Sequence, residues 1–87
     1  MKDFNNWKEV TKGLYRYVIS ANVCYEIHIL YWNHKTDILS ANASLFIVGD
    51  WRDKEGNNFT ERECLLEKAP LCACIGKAIE DNVENNS

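Results

Sequence analysis

The sequence is poor in the features that usually announce chemistry. Of its 87 residues one is proline and four are glycine, and no glycine-rich phosphate loop or nucleophile motif can be read in it. Closely spaced zinc-ligand pairs are missing as well. The nearest approach is Cys72-x-Cys74, whose side chains would point about 200° apart on a helix. Cys24, Cys64, Cys72 and Cys74 are expected to be reduced thiols, with Cys64, Cys72 and Cys74 serving as small buried apolar residues. No metal or other cofactor is expected, and no catalytic residues are assigned. Glu26 and His28 lie two apart and could form an acid–base pair, but such pairs are common on any solvated strand.

Long apolar runs are also lacking. The longest, Val23–Trp32, is ten residues and is interrupted by Glu26 and His28, well short of the roughly 20 residues that span a bilayer. The opening MKDFNNWKEV has neither the basic start nor the apolar stretch of an export signal. These two absences point to a cytoplasmic protein without a membrane partner. An excess of basic charge is missing too. The net charge is −3, which argues against a nucleic-acid partner because phosphate binding needs a basic field. Residues 1–58 carry seven basic and seven acidic side chains, whereas 59–87 carry three and six. The acidic excess thus sits in the last third, in Glu61, Glu63, Glu67, Glu80, Asp81 and Glu84. That group is a candidate surface for a basic protein partner, although acidic runs more often serve simply as solvated faces.

What is present is alternation. In residues 14–32 the odd positions are Tyr15, Tyr17, Ile19, Ala21, Val23, Tyr25, Ile27, Ile29 and Tyr31, with Arg16, Ser20, Asn22, Glu26 and His28 between them. Residues 38–51 repeat the pattern in the same parity, with Leu39, Ala41, Ala43, Leu45, Ile47, Gly49 and Trp51 on one face. Period-two alternation of β-branched and aromatic residues predicts strands. A bend or turn at 20–22 makes three of them. A loop at 33–37 would pair Tyr25 with Leu45 and Ile27 with Ala43, and the odd residues would share a core face.

The chain after Gly56 reads as helical. Thr60 with Glu63 fits a capping box, and Phe59 with Cys64 a hydrophobic staple, for a helix over about 61–68. Pro70 suits the first turn of a second helix, whose stripe is Leu71, Cys74, Ile75, Ala78 and Ile79. Residues 82–87 read as a fraying tail. At the start, Asp3 could cap a short helix bearing Phe4 and Trp7, or a longer helix could run through Trp7, Val10, Leu14 and Tyr17. The expectation is a single α+β domain over 1–87: a three-stranded antiparallel sheet packed against two C-terminal helices.

The face opposite the core is unusually apolar, with Val18, Leu30, Trp32, Phe46 and Val48 among its polar residues. Either the N-terminal segment with Phe4 and Trp7 covers it, or it is a binding or homodimer surface. Leu30, Trp32, Phe46 and Val48 are the candidates for that contact.

The segments GLYRY, ANVCYEIHI, TDILSANASLF and FTERECLLEKAPLCACIGKAIED resemble those of a family of short bacterial accessory proteins carried by phages and conjugative elements. The resemblance covers most of the chain and implies a small accessory protein. In outline, a helix, three strands and two helices is also similar to certain anti-CRISPR proteins. The leading expectation, resting on the acidic last third, the apolar-rich sheet face and the missing catalytic set, is a non-enzymatic inhibitor, such as an anti-CRISPR or other anti-defence protein, that occupies a host protein's surface. The alternatives are an RNA-binding sheet module, with Trp32 and Phe46 stacking bases as in a double-stranded-RNA-binding order, and a structural homodimer.

Overall fold

The computed structural model describes residues 7–86. Five strands, β1 (Lys8–Thr11), β2 (Leu14–Val18), β3 (Val23–Tyr31), β4 (Asn42–Arg52) and β5 (Asn58–Pro70), precede one helix, α1 (Leu71–Asn86). The strands form an antiparallel meander in the order β1-β2-β3-β4-β5. α1 lies across one face. The molecule is elongated, 50 × 28 × 20 Å, because β4 and β5 are 11 and 13 residues long.

The alternation holds through the sheet. Tyr15 faces Ile27 and Tyr17 faces Tyr25 across β2–β3, and Tyr25 faces Ile47 and Ile27 faces Leu45 across β3–β4. Odd-numbered residues share the helix side; Tyr25, Ile27, Ala43 and Leu45 are buried there against Leu71, Cys74, Ile75 and Ala78 of α1. The turn at 19–22 is tight, with the Ile19 and Ser20 amides donating to the Val23 carbonyl. The β3–β4 register is two residues away from the one the 33–37 loop implied. Asp37 caps a 3-10 turn, Ile38–Ser40, by accepting from the Leu39 amide. Ile38 and Leu39 leave the strand for that turn, and β4 starts only at Asn42.

The expected three strands and two helices are corrected to five strands and one helix. Residues 61–68, expected to be helical, lie in β5. The connector at 53–57 explains the outcome. Asp53 Oδ1 accepts from the Glu55 and Asn57 amides at 2.9 and 2.8 Å, and Gly56 takes a positive φ of 87°. The chain is thereby returned antiparallel to β4, with Arg52 opposite Asn58 and Trp51 opposite Phe59. From there each residue gains ladder partners along β4, whereas an isolated eight-residue helix is only marginally stable in water. The capping-box residues Thr60 and Glu63 end on opposite faces of a strand. Among the described residues one α-helix follows the sheet, so the pair of C-terminal helices in the outline shared with certain anti-CRISPRs is not formed.

β5 does not run straight. Its register slips between Leu45 and Phe46 and again between Ala43 and Leu45, the second near Lys68 at φ 52°. Such bulges bend and twist a strand, and these carry β5 around to α1, whose Leu71 amide donates to the Ala41 carbonyl. The outer edge of β5 carries charges and bulges, both of which discourage strand addition. Helix α1 continues through Asn82–Asn86, the span expected to fray.

A short N-terminal helix capped by Asp3 and bearing Phe4 lies outside the described residues. The longer helical alternative is excluded, because Val10 and Leu14 stand in β1 and β2. Trp7 packs edge to face on Tyr17 at 5.5 Å, on the helix side of the sheet. Trp7 therefore does not cover the opposite face.

Candidate functional site

Helix α1 covers the middle of the sheet and leaves the tip of the β4–β5 hairpin bare. Trp51 and Phe59 are 44% and 42% exposed there. Gly49 makes the close approach of Trp51 feasible, since a Cβ at that position would lie 2.7 Å from the indole Nε1. The indole consequently folds over the strand and walls one end of a groove of about 630 Å³. Ile19, Val23, Tyr25, Ile47 and Leu65 supply apolar lining; Glu61, Glu63 and Asp81 supply carboxylates.

Three of the six acidic candidates are thus brought together. Glu61 and Glu63 come from β5, opposite Gly49 and Ile47, and Asp81 comes from α1. Asp81 is fixed by the Tyr25 hydroxyl, which donates to it at 2.6 Å. Burial, reinforced by that carboxylate, raises the Tyr25 pKa, so the phenol remains a donor. Glu67, Glu80 and Glu84 are exposed but do not line the groove. Glu80 lies 3.9 Å from Lys77 one turn back.

The open face, opposite α1, is organised around one carboxylate. Glu26 is 2% exposed. Arg16 Nη2 reaches its Oε2 at 2.8 Å, and Arg62 Nη2 and His28 Nε2 reach Oε1 at 3.1 and 3.3 Å. Burial alone would raise the Glu26 pKa. Hydrogen bonds from Arg16 and His28, with the charge of Arg62, outweigh burial and hold it below the usual carboxylate range. Glu26 and His28 are close, as their spacing suggested, yet the lowered pKa leaves Glu26 charged at neutral pH, an anchor for three side chains rather than a base poised to accept protons.

Arg62 extends from β5 across β4 to reach Glu26 on β3, and its guanidinium passes 6.0 Å from the Phe46 ring. His28 also meets the Phe46 ring, edge to face at 5.0 Å. Long cationic side chains can cover apolar surface with their stems while the charged head stays wet. Phe46 is consequently half-buried and Val48 buried. Leu30 is exposed at the far end of β3, four residues from Glu26. Trp32 lies beyond β3, its indole N–H donating to the Thr36 carbonyl and its ring 4.1 Å from His34. The four apolar candidates therefore do not form one patch.

Sequence reasoning missed the roles of Arg16 and Arg62. The usable signal was parity: Thr60, Arg62 and Cys64 alternate with Phe59, Glu61, Glu63 and Leu65, which is strand periodicity.

Comparison of the chain with protein-family models, with curated proteins and with solved structures finds no match. No described helix is long and apolar enough to cross a membrane.

Proposed function

We propose that this protein acts by binding rather than by catalysis, and that its groove accepts a basic segment of a protein partner. One observation supports the reading above others. Glu61, Glu63 and Asp81, from two elements distant in sequence, converge on a groove whose other walls are Trp51, Tyr25 and aliphatic side chains. Aromatic and aliphatic walls give a lysine or arginine stem something to pack on, carboxylates meet its charged end, and an exposed indole can receive a guanidinium on its face. Occupying a basic surface in this way is how a small inhibitor would block a host protein that handles an anionic substrate. The role of an anti-defence inhibitor is compatible with this chemistry.

The test is fluorescence anisotropy with a labelled dodecapeptide alternating arginine and leucine. The expected result is saturable binding that weakens as salt is raised, since exposed charges are screened. Glu61→Gln with Glu63→Gln should weaken it at least tenfold while leaving the circular dichroism spectrum intact. Equal binding by the double variant contradicts the proposal.

A further inference from the structure

The two faces of the sheet carry opposite charge. Lys8, Arg16, Arg52 and Arg62 stand at even-numbered positions on the open face. The carboxylates at even-numbered positions of these strands are Glu26, buried beneath two arginines, and Asp50, which accepts the Thr60 hydroxyl at 2.8 Å. Between Arg16 and Arg62 lies a hollow of about 390 Å³. Cys24 and Val48, paired across β3 and β4, belong to its lining, and Val18, 65% exposed, flanks it. Burial raises the Cys24 pKa, so its thiol adds no negative charge there.

We infer that this hollow is a second docking site, which takes a glutamate or aspartate side chain from an acidic, partly apolar protein segment. Glu26 spends one negative charge to hold two guanidiniums on either side of the hollow. A fork fixed before binding loses less freedom when it meets a carboxylate. Each arginine keeps a large exposed part, 40% for the Arg16 side chain and 51% for Arg62, from which further N–H groups can donate. Exposed Val18 offers apolar contact beside the charges, the mixture of arginine and aliphatic surface found in protein interfaces. A nucleic acid is the weaker fit, because its phosphates recur along the strand and need a continuous basic field, whereas the cations lining this hollow are Arg16 and Arg62, a pair suited to one carboxylate.

The experiment titrates the full chain with a labelled dodecapeptide alternating glutamate and valine, beside its glutamine–valine counterpart and a 12-mer of oligouridylate. Binding is followed by anisotropy, and the amide shifts are mapped by NMR. The glutamate peptide should bind at least tenfold more tightly than the glutamine peptide, with perturbations at 16–24, 48–50 and 60–62. Val18→Glu lies on an exposed rim, leaves the Glu26 network intact, and should weaken binding about tenfold. Equal binding of the two peptides, tighter binding of oligouridylate, no binding at millimolar peptide, or perturbations centred on Trp51 and Asp81 would each overturn it. The opposite charge of this probe and of the arginine–leucine peptide keeps the two sites' outcomes separate.

Discussion

The two faces of the sheet are held by different physics. The helix face is closed by apolar burial: Ile27, Ala43, Leu45, Leu71, Cys74 and Ile75 are wholly inaccessible. The open face has no covering layer of described elements and buries a carboxylate, offset by Arg16, Arg62 and His28. Burial of aliphatic groups supplies stability without direction. A buried charge with three partners fixes directions but contributes less net stability, because desolvation opposes the attraction. The two proposed binding surfaces lie at the margins of both: the groove beside α1 with its three carboxylates, and the hollow where two arginines flank Glu26.

That contrast can be broken by substitution. Leu71→Ala should be the most damaging, costing about 2–5 kcal/mol as for other truncated core leucines, read as a lowered urea midpoint with unchanged slope. Glu26→Gln should cost about 1–3 kcal/mol, by leaving charged donors poorly paired. Replacing the network together, as Arg16→Met, Glu26→Leu and Arg62→Met, should cost less than Glu26→Gln alone. If the triple variant proves the more damaged, the open face stabilises the fold more than this account allows. Tyr25→Phe should cost about 1 kcal/mol, because it removes one hydrogen bond to a half-exposed Asp81.

Titration separates the faces at opposite ends of the pH scale. The folded-state pKa of Glu26 is lowered, so its contribution is present above the unfolded value near 4.5 and is lost as pH falls through the folded one. Glu26→Gln should therefore flatten the acid limb of the stability curve. Cys74, on the helix face, is pushed by burial from 9.0 to about 11. Its contribution is complete below pH 9 and lost as pH rises toward 11, and Cys74→Ala should flatten that limb, as followed by thermal melts at each pH. The smallest stability change belongs to Trp51→Ala, within about 1 kcal/mol for an exposed site, although the same variant should impair binding of the arginine–leucine peptide.

How much was legible in the sequence follows from which interactions are local. The phase of alternation through Tyr25, Ile27, Leu45 and Ile47 was readable because a strand's two faces are encoded by parity alone. The stripe Leu71, Cys74, Ile75, Ala78 was readable for the same reason at helical period, although Ile79 is 40% exposed. The register of β3 on β4 was not, since it depended on whether Ile38 and Leu39 paired or turned. Residues 59–66 satisfy both a capping box and an alternating strand, and their fate was decided by the free edge of β4, which no local signal reports. The groove inherited that error: with Glu61 and Glu63 on a helix, their meeting with Asp81 could not be anticipated.

The decisive measurement is the nuclear Overhauser pattern of residues 58–68, on which the groove depends. The β4–β5 hairpin requires contacts from Gly49 to Glu61, Ile47 to Glu63 and Trp51 to Phe59. Sequential i to i+3 contacts through 61–68 without those cross-strand signals would show a helix there, and would remove the groove together with the function proposed for it.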